Sequence, residues 1–225
     1  VTRFAPSPTG YLHFGGLYAG FASKLTADTT KGVFMLRIED TDKKREVEDG
    51  VTGIVTGLEA FGVAPDEGVT GFNIEKGSYG PYTQSQRREI YRAFAKKLME
   101  EGKAYPCFCT PEELDEIRAK QENEDIKGYY GAYAKCRDLT DEEIIEKVNA
   151  GIPYTVRLRS TGDISRKIKF EDMIKGKIEM SENVNDVVVL KADGIPTYHF
   201  VHAVDDHLMR TTHVVSGDEW IASVP

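Results

Sequence analysis

The sequence predicts an α/β fold built on a doubly wound parallel sheet, and three observations carry that prediction. Near the N-terminus an apolar run, a loop, a helical pattern and a second apolar run follow in the order of a βαβ unit. Polar clusters stand directly after both apolar runs, where such folds hold their ligands. After a long stretch of different character, short apolar and β-branched runs return from residue 187 onward, as if the same sheet resumed.

Residues 2–4 read as a strand that halts at Ala5-Pro6-Ser7-Pro8-Thr9-Gly10, because two prolines and a glycine stop regular structure. A helix is predicted from about His13, with Leu17, Ala19, Gly20, Phe21, Ala22 and Leu25 at helical spacing. Residues 33–38 form a continuous apolar run with β-branched and aromatic members, the pattern of a buried parallel strand, and end in Glu39-Asp40-Thr41-Asp42. Helices are predicted over residues 47–61 and 85–101.

The chain changes character at Tyr105-Pro106-Cys107-Phe108-Cys109: residues 110–150 are charged and helical, residues 154–177 alternate as strands do, and residues 187–190 are a short buried strand. Residues 101–186 therefore read as an α+β insertion that interrupts an α/β domain made of residues 1–100 and 187–225. From Ile195 a helix carrying Tyr198, Val201 and His202 is predicted, then the acidic pair Asp205-Asp206 and a strand over residues 211–215. No internal repeat or low-complexity tract interrupts this pattern.

Composition narrows the function. A chain of 225 residues that is 40% hydrophobic can bury a core, and none of its apolar runs approaches the roughly 20 residues of a membrane helix. The N-terminus lacks the basic-then-apolar order of a signal peptide, so a cytoplasmic protein without membrane contact is expected. Three cysteines do not make a disulfide framework, which leaves metal or core roles. A net charge of −8 argues against a whole-surface grip on nucleic acid and confines any RNA contact to a local patch. The chain begins at Val1 and stops at Pro225 directly after an apolar segment, which reads as a fragment.

Ser7, Thr9 and Gly10, followed by His13, Gly15 and Gly16 at a helix start, suit a polyphosphate. Glycines admit close backbone approach, and free N–H groups with the helix dipole favour anions. As spacing alone, the same pattern also describes an ordinary capped helix.

The wider string Arg3-Phe4-Ala5-Pro6-Ser7-Pro8-Thr9-Gly10-Tyr11-Leu12-His13-Phe14-Gly15-Gly16 resembles the opening of the glutamyl-tRNA synthetases, with His13-Phe14-Gly15-Gly16 as their form of the class I HIGH signature. The resemblance continues in Arg37-Ile38-Glu39-Asp40-Thr41-Asp42, Tyr82-Thr83-Gln84-Ser85-Gln86-Arg87, Lys191-Ala192-Asp193-Gly194-Ile195-Pro196-Thr197-Tyr198-His199 and Asp205-Asp206-His207-Leu208-Met209, so it spans essentially the whole chain. It implies a Rossmann-like catalytic domain of the class I synthetase type, interrupted by an acceptor-stem-binding insertion. It also implies a two-step reaction in which glutamate attacks the α-phosphate of ATP and the adenylate then passes glutamate to tRNA(Glu), with Mg²⁺ supporting the phosphates. The KMSKS signature of the family is absent from residues 1–225 and would lie downstream, so the fragment alone is expected to be inactive and the protein a monomer.

By the same resemblance His13, Gly15 and Gly16 are catalytic, and Ser7, Thr9, Gly10, His13, Gly15, Gly16, Glu219 and Trp220 bind ATP. Arg3, Ala5, Ser7, Glu39, Tyr198 and His202 map onto the amino-acid site. There Glu39 can hold the ammonium, Arg3 can fork onto the side-chain carboxylate and Tyr198 can donate its hydroxyl. A plain Arg37–Glu39 surface pair and a core Tyr198 are the structural alternatives. Two positions depart from the bacterial pattern, which has Asn at His202 and Arg at Ser216, and Arg210 is a candidate to replace the lost guanidinium.

Cys107-Phe108-Cys109 and Cys136 resemble the zinc-binding part of the insertion, with Tyr133 or Tyr130 as candidate fourth ligand. Three reduced, partly buried cysteines without metal are the other reading. Arg157, Arg159, Arg166, Lys167 and Lys169 offer either a local RNA-binding face or a solvated strand face. The nearest rival family is glutamyl-queuosine-tRNA(Asp) synthetase. Glutaminyl-tRNA synthetase is raised more weakly by Ser216, and a binding module without chemistry is the non-enzymatic reading.

Overall fold

The computed structural model describes residues 1–41, 45–125 and 127–225. Asp42, the last residue of the acidic cluster, therefore lies outside the described residues. The chain divides into two compact units, one of Val1–Tyr91 with Tyr198–Ile221 and one of Arg92–Thr197 with Ala222–Pro225.

In the first unit β1 (Thr2–Phe4), α1 (Phe14–Thr29), β2 (Phe34–Leu36), α2 (Gly50–Ala60), β3 (Glu67–Gly71) and β4 (Ile74–Lys76) follow in order. They make a four-stranded sheet ordered β1-β2-β3-β4, parallel from β1 to β3 and closed by an antiparallel hairpin. Phe34, Met35 and Leu36 are fully buried, as expected of a strand covered on both faces, and pack in one core with Ile38, Ile54, Leu58, Val69 and Met209. α1 buries its small residues Gly20, Ser23 and Ala27; a Cβ on Gly20 would lie 3.1 Å from Leu58 Cδ2, so glycine sets the approach of α1 to α2.

Thr2 pairs with Phe34 on one side and, through a single parallel bridge, with His213 on the other. The chain thus leaves β1 in both directions, which places a topological switch point at its carboxyl end. The β-branched run over residues 211–215 forms only this bridge rather than the expected strand. Thr211 N donates back to Asp206 O at the end of α6 (2.9 Å), the Val1 carbonyl accepts from Thr212 N (2.9 Å) and His213 N (3.2 Å), and Val214 stays exposed, so β propensity finds no packed surface. The β3–β4 hairpin had no apolar run to announce it. Gly68 holds φ 105° where a Cβ would fall 2.0 Å from Leu36 O, which explains a glycine in mid-strand.

A 3-10 turn (Gln84–Arg87) leads into α3 (Arg88–Glu100). The second unit contains β5 (Ala104–Cys107), α4 (Pro111–Lys120), α5 (Asp141–Asn149), β6 (Thr155–Leu158), the hairpin β7 (Lys167–Asp172) and β8 (Gly176–Ser181), and β9 (Val188–Leu190). β5, β6 and β9 form an antiparallel sheet. α4 and α5 each open on a capping box, Thr110 with Glu113 and Thr140 with Glu143. The helical stretch expected over residues 110–150 is broken between them because Gly128 and Gly131 hold φ of 141° and 51°, and the buried Gln121 amide brackets Gly128 with two 2.9 Å hydrogen bonds. Among the described residues no helix is long and apolar enough to cross a membrane.

α6 (Tyr198–Leu208) returns the chain to the first unit and buries Asp205 completely. That carboxylate accepts from Arg87 Nε (2.8 Å), the Tyr91 hydroxyl (2.8 Å) and Gln84 Nε2 (3.2 Å), with Arg37 Nε 3.6 Å away. Its charge and hydrogen bonding push the Tyr91 phenol up together with burial, which comes first, so Tyr91 is a fixed donor. Replacing Asp205 by alanine would leave the buried Arg87 guanidinium without its carboxylate and take from the buried Arg37 one of its two. We expect Asp205→Ala to cost about 3–5 kcal/mol in urea unfolding, and a loss below about 1 kcal/mol would contradict this role.

Candidate active site

The loop from Ala5 to Leu12 is laid down by backbone hydrogen bonds before any side chain acts. Pro6 O accepts from Glu39 N (3.0 Å) and Pro8 O from Val47 N (2.9 Å), so the proline-rich loop and the acidic end of the β2 run are joined within two residues of Ser7. Three glycines on α2, Gly50, Gly53 and Gly57, receive this loop: a Cβ would lie 2.8 Å from Pro8 O, 3.3 Å from the Tyr11 ring and 2.9 Å from Leu12 Cδ2 respectively. The only trace of this support in the sequence is the spacing of three and four residues that puts these glycines on one helix face.

His13 is the N-cap of α1, and its Nδ1 accepts from Gly16 N at 3.3 Å. That bond puts the proton on Nε2 and leaves an N–H donor facing away from the helix. Gly15 belongs to the same arrangement, since a Cβ there would lie 3.1 Å from His13 Cε1. The Ser7 and Thr9 hydroxyls have no hydrogen-bond partner among the described residues, and Gly10 has open space around its Cα. The helix N-terminus, the outward N–H of His13 and two free hydroxyls suit an anion such as a polyphosphate.

The second part of the site is a cluster of charges at the ends of β1 and β2 against α6. Asp206 accepts from Arg3 Nε and Nη2 (3.2 Å each) and from Arg37 Nη1 (2.8 Å). Burial pushes the Asp206 carboxyl up, but the charges of Arg3 and Arg37 outweigh it and hold it below its ordinary value. His202 Nδ1 lies 3.0 Å from Arg37 Nη2 and 3.4 Å from Arg3 Nη2, and its Nε2 lies 3.2 Å from Glu39 Oε2. Arg3, Glu39 and His202 are thus brought together, all nearly buried. Arg37 is fully buried and pairs with aspartates, so the surface Arg37–Glu39 pair is not formed.

Tyr198 packs its ring 4.2 Å from His202 and stacks at 4.9 Å and 25° on Trp220. Burial, then the charge of Glu39, pushes its phenol up, so it is a donor. Glu219 folds against Gly217, where a Cβ would meet its carboxylate. Arg210 and Ser216 are both exposed, and the guanidinium beside Arg3 is Arg37. A cavity of about 500 Å³ lies nearby, lined among others by Asp40, Glu46, Glu75, Thr83 and Ser85. No residue expected to hold nucleotide or amino acid lines it, so the hydrogen-bonded cluster, not that cavity, is the candidate site.

In the second unit Cys107, Cys109 and Cys136 place their sulfurs within 4.8 Å of one another. The Cys109–Cys136 separation of 3.7 Å matches the edge of about 3.8 Å of a tetrahedron with metal–sulfur bonds of about 2.3 Å. The Tyr133 hydroxyl donates to Glu124, as does that of Tyr130, whereas the Tyr129 hydroxyl lies 3.2 Å from Cys109 Sγ. Donation from the Cys136 thiol, then from Tyr129, the Cys109 backbone and Arg157, outweighs burial and lowers the Cys107 thiol to about 4. Arg157 stacks 4.1 Å over the Tyr129 ring. Three thiols, one of them ready to ionise, and an adjacent phenol fit a tetrahedral zinc site. Of the expected basic face, Arg157 is buried, while Arg159, Arg166 and Lys169 pair with Asp138, Glu182 and Glu179.

A family model described as tRNA synthetases class I (E and Q), catalytic domain, matches residues 1–225. A glutamate–tRNA ligase of Clostridium beijerinckii is 52% identical over all of this chain, and one of Acetivibrio thermocellus 51% identical. The chain spans 41% of the length of each. A crystal structure of a glutamate tRNA ligase from Elizabethkingia meningosepticum in complex with its amino acid superposes with a TM-score of 0.86 at 40% identity, covering 99% of this chain and 44% of that one.

The α2 glycines give a direct test of how the loop is seated. Gly50→Ala meets a backbone oxygen at 2.8 Å and is expected to destabilise by about 1–3 kcal/mol, while Gly53→Ala, facing the edge of Tyr11, costs less. Equal unfolding midpoints for the two variants would contradict the packing described.

Proposed function

Because the chain belongs to the catalytic-domain family of class I tRNA synthetases for glutamate and glutamine, we propose that the whole protein activates glutamate with ATP and transfers it to the 3′ end of tRNA(Glu). The observation that carries this reading is the joining of a cationic and an anionic end, Arg3 and Glu39, through His202 at the carboxyl ends of β1 and β2. Glutamate needs both: its ammonium goes to Glu39 and its side-chain carboxylate to Arg3, whose Nη1 makes no hydrogen bond among the described residues. The Tyr198 hydroxyl, the Ser7 hydroxyl and the Ala5 backbone orient the rest of the zwitterion.

ATP is assigned to the loop and the start of α1, with Thr9, Gly10, Gly15 and Gly16 admitting the phosphates, and Glu219 and Trp220 on the nucleoside side. A glutamate α-carboxylate oxygen bonds to the α-phosphorus as pyrophosphate leaves, and a ribose hydroxyl of tRNA then takes the acyl group as AMP leaves. His13 Nε2–H and the free N–H groups of α1 donate to the phosphate oxygens as charge moves onto pyrophosphate. Mg²⁺, when bound, neutralises phosphate charge.

In the second unit we assign residues 101–186 to the tRNA acceptor stem, with Arg159, Arg166, Lys167 and Lys169 as the phosphate-facing cations and Arg157 withdrawn from that set. Zinc is assigned to Cys107, Cys109 and Cys136, with the Tyr129 rather than the Tyr133 hydroxyl as the oxygen nearest the thiols. Bound there, it would fix the turn that joins β5 to residues 128–136.

The whole protein should exchange pyrophosphate into ATP only when glutamate is present. His13→Ala should slow that exchange by roughly 10²–10³ fold, by analogy with loss of one preorganised donor. Faster exchange with glutamine than with glutamate would overturn the substrate assignment. Metal analysis of the purified protein should give about one zinc per chain, lost in Cys109→Ser; less than about a tenth of an equivalent would leave the cysteines as a reduced cluster.

A further inference from the structure

His202 stands where asparagine is expected, and its ring meets charged groups at both nitrogens. Two guanidiniums, Arg37 Nη2 at 3.0 Å and Arg3 Nη2 at 3.4 Å, face Nδ1, and the Glu39 carboxylate faces Nε2 at 3.2 Å. A guanidinium can only donate and an ionised carboxylate can only accept. One tautomer satisfies every contact: the lone pair on Nδ1 and the proton on Nε2.

We propose that His202, held in this tautomer, is a positioning residue that ties the anionic end of the amino-acid site to its cationic end, with the buried Arg37 as the second guanidinium of the site. Asp206 fixes both arginines, accepting twice from Arg3 and once from Arg37, so Nδ1 meets two donors whose positions are set from behind. Tyr198 packs against the imidazole with its ring at 4.2 Å and tilted by 45°, which limits the rotation of His202. The Nε2–H then engages Glu39 Oε2 and leaves Oε1 for an ammonium, while Arg3 keeps Nη1 for a carboxylate. The spacing between the ammonium and carboxylate subsites is set by the bridge, which gives the site a selection for chain length that neither Arg3 nor Glu39 supplies alone.

The kinetic consequence rests on glutamate being the substrate; the tautomer does not. ¹⁵N-labelled protein, with the His202 signals assigned by their loss in His202→Asn, should show a pyridine-like Nδ1 and a proton-bearing, pyrrole-like Nε2. The opposite tautomer, or a proton on both nitrogens, would overturn the proposal whatever the substrate is. In the whole protein, an asparagine amide can reach the arginines but not Glu39, and a glutamine amide can reach Glu39 but not both arginines. His202→Asn and His202→Gln should therefore each raise the KM for glutamate about tenfold, with a smaller change in kcat, because each breaks one half of the bridge. A wild-type KM in either variant would show that only one half matters and would sink the bridge. Absence of any glutamate-dependent activity would count against the substrate assignment and leave the tautomer to be decided by the spectra.

Discussion

Arg37 directly follows β2 with its guanidinium fully buried, and much of the first unit is arranged around that one charge. A buried cation costs several kcal/mol in lost hydration and persists only when it is surrounded by acceptors. Asp205 lies 3.6 Å from its Nε, Asp206 accepts at 2.8 Å and His202 at 3.0 Å, all from α6. β2 and α6 are far apart in sequence, so this set of contacts fixes the helix against the sheet and carries Tyr198 and His202 to the ends of β1 and β2. Arg87 and Tyr91 complete the same arrangement by satisfying the remaining acceptor capacity of Asp205.

Rigidity of this kind suits a site whose chemistry depends on placement. Glycines on α2 hold the Pro8–Leu12 turn, and His13 caps α1 with one nitrogen so that the other points outward. No covalent group is needed in such a reaction; stabilisation comes from donors already aimed at where charge will develop. In the proposed amino-acid site the same logic applies to Arg3 on Asp206 and Glu39 on His202, since each keeps one edge engaged and one edge free.

Much of this was legible in the sequence, for physical reasons. β1, α1 and β2 carry strong apolar patterns broken by prolines and glycines, and their order alone implies the βαβ unit and the positions of its ligands. The β3–β4 hairpin was hidden because Glu67-Gly68-Val69-Thr70-Gly71 has little apolar content and owes its place to close backbone packing on Leu36. Burial of Arg37 and Asp205 was invisible because charged residues are usually exposed and only partners distant in sequence reverse that. Tyr129 escaped notice for a related reason: which of three tyrosines faces the thiols is decided by the turn at Gly128, with φ 141°, and not by distance from Cys136 along the chain.

Arg3 and Glu39 are proposed as the two ends of one amino-acid site, spaced by His202. A crystal structure of the protein with bound glutamate tests it most directly. The side-chain carboxylate should lie on Arg3, the ammonium on Glu39 and the His202 ring still between Arg37 and Glu39. Glutamate bound away from Arg3, or held with its ends reversed, would contradict it.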